Sequence, residues 1–552
     1  MSRLDEEIRK QVIRNAFQHG GKADPGSVIG KIMGLFPEVR SDPKGLARKI
    51  AEQAKLVNSM SPDLLEETVK NEFPEFMVKE KRVQEHRLPD LDGVAGSVVM
   101  RMAPSPSGPL HLGHSRMAIL NDEYVKRYGG KLILRIEDTN PDNIDPFAYS
   151  QIPLDLEWLG VKVSEVIIQS ERFELYYAEA LKLIKQGNAY VCHCKQQDFR
   201  DLKLKGIACP HRSNSVKVNT EEFEEMINGA FMPGSATLVI KTDLTHPNPS
   251  IRDWIAFRVV NADHPRTGKK YHAYPMMNFS VAVDDHYLGL THVIRGKDHL
   301  NNTEKQKYIF QYNGWEVPVY YHYGLITIPE TILKTSIIKR GILEGKFTGW
   351  DDVRLGTLLA LKKRGYSAAV IRRYWVESGL REIDADFSWE IFNAMNKEII
   401  DPQAKRFWFV RNPVSIKVRS TAPLHSRAPY HPGQPGLGFR TYDLGTDFTI
   451  FVQKDDWDRI GDGEAIRLKD LCIVIKNGNT GNFDDREVTK ENPLKIIHWC
   501  PSDSERFNVN LPDGTVDTGL LEPLAIDYTG IAQFERYGYV NKTSGEAFFL
   551  YR

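Results

Sequence analysis

The fold is decided by Pro104-Ser105-Pro106-Ser107-Gly108-Pro109-Leu110-His111-Leu112-Gly113-His114, which lies between an apolar run and a helical stretch. The apolar run, Ser97-Val98-Val99-Met100, is typical of a buried strand, and the helical stretch from Ser115 to Val125 is stopped by Gly129-Gly130. His111 and His114 therefore lie on one face of the first helical turn. Because a helix N-terminus attracts anions, this strand, turn and helix predict a nucleotide phosphate site in a doubly wound sheet. The alternative is a proline- and glycine-rich turn with two incidental histidines.

The composition is typical of a globular protein with several domains. The 552 residues are 41% hydrophobic and 26% charged, and such a chain is expected to divide into about three to five domains. No window approaches the roughly 20 apolar residues that span a membrane, and the start is not a signal peptide, so we expect a cytoplasmic protein. Lys plus Arg equals Asp plus Glu at 73 each, so a nucleic-acid surface must be a local patch. Five cysteines argue against a disulfide framework.

The turn resembles the HIGH signature of the class I aminoacyl-tRNA synthetases, and the run from Arg101 to Gly108 resembles their glutamyl/glutaminyl subgroup. Three further runs resemble the same subgroup: Leu132-Ile133-Leu134-Arg135-Ile136-Glu137-Asp138-Thr139, Tyr274-Pro275-Met276-Met277-Asn278-Phe279 and Thr291-His292-Val293-Ile294-Arg295-Gly296-Lys297-Asp298. The resemblance covers nearly the whole chain and favours the archaeal or eukaryotic branch. It implies ATP with Mg²⁺, an amino acid and tRNA as ligands, and a monomer is expected.

The order of elements predicts a multidomain α/β fold. Alternating strands and helices from Ser97 to the strand at 190–192 predict a doubly wound, Rossmann-like sheet, and short strands past Asp401 predict β-barrels. With the resemblance, the expected domains are a helical N-terminal extension (1–92), the first half of the catalytic domain (93–192), an inserted acceptor-stem-binding domain (193–270), the second half of the catalytic domain (271–328), an ATP-loop and helical connecting domain (329–400) and a β-barrel anticodon-binding region (401–552).

A pocket for free glutamate must satisfy one ammonium and two carboxylates, so it needs a carboxylate and more than one cation. The resemblance assigns Arg101 and Arg295 to the substrate carboxylates and Glu137 to the ammonium. It also implies three further pocket residues: Ser105, Tyr274 and Asn278. An arginine directed at the substrate side chain favours glutamate over glutamine, because an amide NH₂ cannot accept a hydrogen bond from guanidinium. Structural ion pairs of Arg295 and Glu137 remain the alternative.

The loop that completes the ATP site departs from the family pattern. Ile332-Leu333-Lys334-Thr335-Ser336-Ile337-Ile338-Lys339-Arg340 stands where the family has a mobile lysine–serine loop, and in this register Thr335 replaces its second lysine. A loop cation is needed to neutralise charge as pyrophosphate leaves. Lys334 is the first candidate for that role and Lys339 is the second. The expected ATP-binding residues are His111, Gly113, His114, Lys334 and Ser336, and the expected catalytic residues are His111, His114 and Lys334.

Three of the five cysteines and one histidine lie within twenty residues of each other, in the predicted insertion. Cys192-His193-Cys194 and Cys209-Pro210-His211 give a Cys-x-Cys and a Cys-x-His pair, which predicts a structural zinc site with ligands Cys192, Cys194, Cys209 and His211. His193 is an alternative ligand, and buried thiols near a turn are the alternative to a metal. Cys472 and Cys500 lie in apolar strands and are expected in the core.

Together, these features imply a glutamate–tRNA ligase activity. The expected reaction is ATP-dependent activation of L-glutamate to glutamyl adenylate, followed by transfer to the 3′-terminal adenosine of tRNA(Glu). Whether tRNA(Gln) is also charged stays open. The alternatives are a glutaminyl-tRNA ligase, a non-catalytic tRNA-binding scaffold, and a small nucleotidyltransferase that shares the His-x-Gly-His turn.

Overall fold

The computed structural model describes residues 3–18, 20–73, 76, 88–487 and 493–552. The chain forms two compact units, Met1–Glu85 and His86–Arg552. Within the described ranges, no helix has both the length and the apolar composition needed to cross a bilayer.

The first unit is helical, as the spacing of its apolar residues predicts. Its helices are α1 (Arg3–Gln18), α2 (Pro25–Leu35), α3 (Pro43–Asn58) and α4 (Pro62–Glu72). The last three begin with a proline that follows a capping Asp or Ser, whose side chain accepts a hydrogen bond from a first-turn backbone N–H. Ile8, Val12, Ile50 and Val69 are buried, so the apolar helix faces form one small core.

The second unit begins with three parallel strands. β1 (Val98–Met102) pairs with β2 (Gly130–Ile136), which pairs with β3 (Glu165–Ile168). The crossover helices are α5 (Leu112–Tyr128) and α6 (Pro146–Trp158), and α7 (Phe173–Lys185) follows β3. Helices cover these strands, and buried residues such as Met100 and Leu134 explain their nearly continuous apolar sequence.

An antiparallel sheet interrupts this alternation. Its strands, in spatial and chain order, are β4 (Ala189–Cys192), β5 (Thr237–Ile240), β6 (Trp254–Val259) and β7 (Ala273–Pro275), with α8 (Gln196–Lys205) and α9 (Val216–Ile227) between β4 and β5. The expectation that the strand at 190–192 continues the parallel sheet is wrong, because β4 pairs antiparallel with β5. The inserted sheet thus reaches past both ends of the range 193–270.

Parallel pairing resumes after the insertion. α10 (Met277–Tyr287) precedes β8 (His292–Gly296), and α11 (Leu300–Asn313) connects β8 to the parallel strand β9 (Val319–Tyr323). β8 lies beside β1, where the Thr291 N–H donates to the Val99 carbonyl at 3.0 Å and the Thr291 hydroxyl accepts from the Val99 N–H. Arg101 and Arg295 therefore lie near the carboxyl ends of neighbouring parallel strands, where ligands bind in such sheets.

A helical region connects this sheet to the C-terminal strands. It contains the parallel pair β10 (Ile326–Thr327) and β11 (Ala385–Asp386), and the helices α12 (Thr335–Leu343), α13 (Leu358–Arg364), α14 (Ala368–Ser378) and α15 (Trp389–Ile400). The basic end of α13 is partly buried against the C-terminal strands, where Arg364 donates to the Leu550 carbonyl at 3.2 Å.

The remaining strands form two seven-stranded sheets and a hairpin. The strands are β12 (Lys405–Phe407), β13 (Phe409–Arg411), β14 (Pro413–Arg419), β15 (Leu424–Pro429), β16 (Phe439–Leu444), β17 (Asp447–Gln453), β18 (Ala465–Leu468), β19 (Cys472–Asn477), β20 (Thr480–Asp484), β21 (Ile496–Ile497), β22 (Trp499–Pro501), β23 (Glu505–Asn510), β24 (Val516–Leu521), β25 (Gly530–Phe534), β26 (Gly538–Lys542) and β27 (Glu546–Tyr551), and α16 (Lys454–Asp458) follows β17.

Both seven-stranded sheets are nearly closed barrels. One has the order β12-β25-β26-β27-β23-β24-β13 and the other β21-β18-β19-β20-β14-β17-β22. In each sheet the two outer strands are consecutive in the chain and separated by one buried residue, Trp408 or His498. A single bent segment therefore pairs on both sides, which removes the exposed edges as barrel closure does. The β-barrel expectation is confirmed.

Candidate functional site

The His-x-Gly-His turn begins α5 as a reciprocal cap. The backbone N–H of His114 donates to Nδ1 of His111 at 3.3 Å, and the backbone N–H of His111 donates to Nδ1 of His114 at 3.5 Å. The two rings stack, with centroids 3.6 Å apart. A Cβ at Gly113 would lie 3.0 Å from Cε1 of His111, so a side chain there would displace this ring. The turn thus fixes both imidazoles and requires glycine between them.

Both imidazoles are neutral at neutral pH. Burial lowers the pKa of His114 to about 4, and burial together with the neighbouring His114 lowers the pKa of His111 well below its usual range. Because each Nδ1 accepts a backbone hydrogen bond, the proton of each neutral ring is on Nε2. The pair therefore offers two neutral N–H donors at a helix N-terminus, which suits phosphate oxygens.

A short extended segment joins the turn to the loop at 332–340. The Leu112 N–H donates to the Gly356 carbonyl at 3.0 Å, and the Gly356 N–H donates to the Ile332 carbonyl at the same distance. Beneath the turn, the buried Asp155 accepts from the Leu110 N–H at 2.8 Å, and burial raises the pKa of this carboxyl to about 6. The histidine turn and the loop are therefore held by one hydrogen-bonded segment.

The loop lines an open cavity. The cavity has a volume of about 690 Å³, and its lining includes Ser105, Ser107, Lys334, Ser336 and Lys339. Lys334 is exposed and forms no ion pair with any described residue. Lys339, in contrast, lies 3.7 Å from the carboxylate of Asp145 and donates to the Ile144 carbonyl. The structure thus leaves Lys334 free for an incoming anion, whereas Lys339 already has partners. Ser105 lies on this cavity, and its hydroxyl has no hydrogen bond to a described residue.

A buried ionic network holds two of the predicted glutamate ligands. Nε of Arg101 donates to Oδ1 of Asp285 at 3.1 Å, and Arg135 donates to the same oxygen at 2.6 Å. Arg135 also donates to Oε1 of Glu137 through two nitrogens, at 2.9 and 3.2 Å. Burial alone would raise the pKa of Asp285, but the charges of Arg101 and Arg135 lower it. Arg101 and Glu137 thus have structural partners, and only one oxygen of Glu137 is used.

Arg295 differs, because no described carboxylate pairs with it. Its Nη2 donates to the Thr303 hydroxyl at 2.6 Å and to Oε1 of Gln306 at 2.9 Å, and its guanidinium carbon is 5.0 Å from the ring centre of Tyr320. The residue is only 4% exposed, and its buried Nε has no hydrogen-bond partner. Burial and the nearby charge of Arg101 lower the pKa of Arg295 to about 10. A buried, unpaired guanidinium is costly unless a ligand supplies the anion.

Asn278 is connected to Arg295 through a residue that sequence reasoning missed. Nε2 of Gln306 donates to Oδ1 of Asn278 at 3.3 Å, and Nδ2 of Asn278 donates to Asn302 at 3.2 Å. Tyr274 is fully buried on β7, with its ring edge-to-face against Phe173. The structure gives Tyr274 no hydrogen bond to the arginines. Hydrogen bonds connect Arg101 with Glu137 through Asp285 and Arg135, and Arg295 with Asn278 through Gln306.

Two family models match this chain. The model of the class I tRNA synthetases (E and Q), catalytic domain, matches residues 97–402, and that of their anti-codon binding domain matches residues 404–495. The chain belongs to the class I tRNA synthetases of the E and Q group.

Curated relatives match this synthetase over nearly its full length. A protein of Thermoplasma volcanium named glutamate–tRNA ligase is 57% identical, covering 97% of each chain. A protein of Methanocaldococcus jannaschii with the same name is 44% identical, again over 97% of each chain. A solved glutamate tRNA ligase from Elizabethkingia meningosepticum, in complex with its amino acid, is 23% identical with a TM-score of 0.39, covering 55% of this chain and 70% of that one.

The synthetase also brings the four predicted metal ligands together. Sγ of Cys209 lies 3.3 Å from Sγ of Cys192, 3.5 Å from Sγ of Cys194 and 3.4 Å from Nδ1 of His211. All four ligand atoms lie within 4.8 Å of one another. His193 is not part of this group, because its ring contacts the Ser235 carbonyl and Glu222 instead. Ligand separations of this size fit a tetrahedral ion with Zn–S bonds of about 2.3 Å.

Proposed function

We infer that this synthetase is a glutamate–tRNA ligase, which activates L-glutamate with ATP and transfers the glutamyl group to the 3′-terminal adenosine of tRNA. The observation that carries this inference is Arg295, a buried guanidinium without a carboxylate partner at the end of β8. A substrate carboxylate would supply the missing anion, whereas a neutral amide would leave the charge unpaired. The names of the full-length relatives support the same substrate.

The amino acid is expected to lie between Glu137 and the two arginines. The free oxygen of Glu137 can accept from the substrate ammonium, and Arg101 can donate to the α-carboxylate with the nitrogens that Asp285 leaves free. Arg295 then takes the side-chain carboxylate. Because every one of these groups is already held by neighbours, the pocket loses little side-chain freedom when glutamate binds.

Activation requires the α-carboxylate to attack the α-phosphorus of ATP while pyrophosphate leaves. The Nε2–H groups of His111 and His114 can donate to phosphate oxygens as their negative charge grows, and neutral donors do so without a change of protonation. Lys334, free on the cavity wall, can follow the departing pyrophosphate. Mg²⁺ bound to ATP would neutralise part of the phosphate charge.

We further propose that Cys192, Cys194, Cys209 and His211 hold a structural Zn²⁺. The four-ligand set leaves no open position for a substrate, which is typical of structural rather than catalytic zinc. The site lies between β4 and α9, in a lobe whose core consists of few buried residues, including Tyr190 and Val239. A metal would therefore supply stability that this small core does not.

We propose that a monomer is active on tRNA(Glu). Whether tRNA(Gln) is a second acceptor depends on contacts of the two barrels with the anticodon. A glutaminyl-tRNA ligase is the rival function, and the unpaired Arg295 opposes it. A non-catalytic scaffold is opposed by the preserved donor pair at His111 and His114.

The test is aminoacylation of total tRNA with labelled glutamate and, separately, labelled glutamine, each with ATP and Mg²⁺. Transfer of glutamate alone supports the ligase, and purified tRNA(Glu) and tRNA(Gln) then define the acceptors. The double variant His111→Ala/His114→Ala is the control, because it should lose transfer while still binding tRNA. Glutamine transfer would reject the role of Arg295, and transfer of neither amino acid would favour the scaffold.

A further inference from the structure

We propose that Gln306 is a positioning residue that holds Arg295 in place and makes Asn278 face the substrate with a hydrogen-bond donor, and that it thereby contributes to the choice of glutamate over glutamine. The proposal rests on the ligase function inferred above. It assigns a role to a side chain on α11 that is itself fully buried and need not touch the substrate.

The first step concerns the orientation of the Gln306 amide. Its Oε1 accepts from Nη2 of Arg295 at 2.9 Å. A guanidinium has five N–H donors and no acceptor, so the opposite orientation would place an NH₂ group against N–H groups. Arg295 therefore fixes which end of the Gln306 amide is the oxygen. Thr303, one helical turn earlier on α11, accepts from the same Nη2 and holds the guanidinium from a second side.

The second step is that the orientation of the Gln306 amide fixes the orientation of the Asn278 amide. With its oxygen on Arg295, Gln306 must direct Nε2–H toward Asn278, and Oδ1 of Asn278 accepts it at 3.3 Å. The amide of Asn278 is thereby fixed with Nδ2 on the opposite side. One hydrogen of that Nδ2 goes to Asn302 at 3.2 Å, and the second is left for a ligand. An asparagine that could otherwise present either a donor or an acceptor thus presents a donor.

The third step is the consequence for the ligand. Nη1 of Arg295 forms no hydrogen bond to a described residue, and Asn278 has one free N–H. Two oxygens of a carboxylate can accept from both groups. An amide has one oxygen and one NH₂, so its NH₂ would face a donor and leave buried hydrogen-bonding groups unsatisfied. The hydrogen bonds from Arg295 through Gln306 to Asn278 therefore add a second donor group for the substrate carboxylate to those of the arginine.

A neutral histidine beside Thr303, His322, is consistent with the assignment. Nε2 of His322 lies 2.8 Å from the Thr303 hydroxyl, and burial together with the charge of Arg295 lowers the pKa of His322 to about 4. His322 therefore adds no second cation at neutral pH, and α11 supports Arg295 with uncharged groups. A carboxylate on α11 in place of these groups would neutralise Arg295 and compete with the substrate.

The experiment compares two Gln306 variants by aminoacylation with labelled glutamate or glutamine. Gln306→Met removes both hydrogen bonds at similar volume and frees Asn278 to rotate its oxygen toward the ligand. Gln306→Glu is nearly isosteric and accepts from both neighbours, so it neutralises Arg295 and also favours Asn278 with its oxygen toward the ligand. For both variants we expect the ratio of kcat/KM for glutamate over glutamine to fall by about tenfold or more, with KM for ATP unchanged.

The matched control is Asn396→Leu. Asn396 is another fully buried amide that donates one hydrogen bond, to the Tyr551 hydroxyl at 3.0 Å, and accepts one, from the Ser367 N–H at 3.1 Å. It should lower the melting temperature without changing the glutamate-to-glutamine ratio. An unchanged ratio in both folded Gln306 variants would overturn the proposal. Failure of the unaltered chain to charge glutamate would instead overturn the ligase function, so the two failures are distinguishable.

Discussion

The substitution Arg295→Met tests whether this guanidinium binds the substrate or only stabilises the fold. Methionine keeps most of the side-chain volume and removes the charge. A charge-assisted pair between a buried arginine and a ligand carboxylate is worth about 3 kcal/mol when one partner is removed. At about 1.4 kcal/mol per decade, KM for glutamate should rise by about 150-fold, whereas KM for ATP should change little.

The same variant makes a prediction about the free protein. No described carboxylate loses a partner when Arg295 is replaced, and Thr303 and Gln306 each lose one hydrogen bond that they accept from the guanidinium. Arg135→Met is the matched control, because Arg135 is equally buried but pairs with Glu137, Asp284 and Asp285. Breaking such buried ion pairs costs about 3–5 kcal/mol, so this control should lower the melting temperature much more.

Two assays separate the possibilities. Aminoacylation at varied glutamate concentration gives KM, and thermal melting with and without glutamate shows whether the ligand still stabilises the folded state. We expect Arg295→Met to melt near the unaltered chain but to lose the shift that glutamate produces. An unchanged glutamate KM would refute the substrate role. A fall in melting temperature as large as that of Arg135→Met would show that Arg295 is structural.

Three further predictions concern the phosphate site and the metal. Lys334→Ala should slow adenylate formation by about 100-fold. Lys339→Ala should have a smaller effect, because Asp145 already pairs with that lysine. Pyrophosphate exchange measures both rates, and an equal loss in the two variants would contradict the prediction. Metal analysis should find about one zinc ion per chain, lost in Cys209→Ser but retained in the control Cys472→Ser. The pKa of His114 is about 4 in the folded state and near 6.5 in the unfolded state, so between these values the unfolded state binds more protons. The free energy of unfolding should therefore fall as the pH decreases from 6.5 toward 4. Melting temperatures of the unaltered chain and of His114→Asn over this range measure the effect, and the same pH dependence in both would contradict it.

The parts of the fold that local patterns dictate could be predicted from the sequence. The apolar run before Arg101, the proline-rich turn and the glycine stop placed β1, the histidine cap and α5 correctly. The direction of β4 could not be predicted in this way, because an apolar strand after a helix reads the same in a parallel and an antiparallel sheet. Direction is decided by the partner strand, β5, which lies 45 residues further along the chain.

The candidate site likewise has residues that the sequence predicts and residues that it does not. Residue types and spacing predicted that the two histidines lie on one helical turn and that Cys192, Cys194, Cys209 and His211 lie together, since both sets are close in sequence. The partners of Arg295 could not be predicted, because Thr303 and Gln306 lie in the polar run Leu300–Asn313 that gives no sign of being buried on one face. Consecutive aspartates at 284 and 285, inside an otherwise apolar helix, were the one local signal that a buried arginine must lie nearby.

The charges around the pocket explain why one guanidinium is left without a partner. Four arginines, Arg101, Arg135, Arg172 and Arg295, meet three carboxylates, Glu137, Asp284 and Asp285. The described network therefore has a net charge of plus one, and free glutamate at neutral pH has a net charge of minus one. Glutamine is a neutral zwitterion, so it would leave the network uncompensated at low dielectric. Selectivity then depends on the whole buried network: removing Arg135 or Asp285 should alter the preference even though neither faces the side-chain carboxylate.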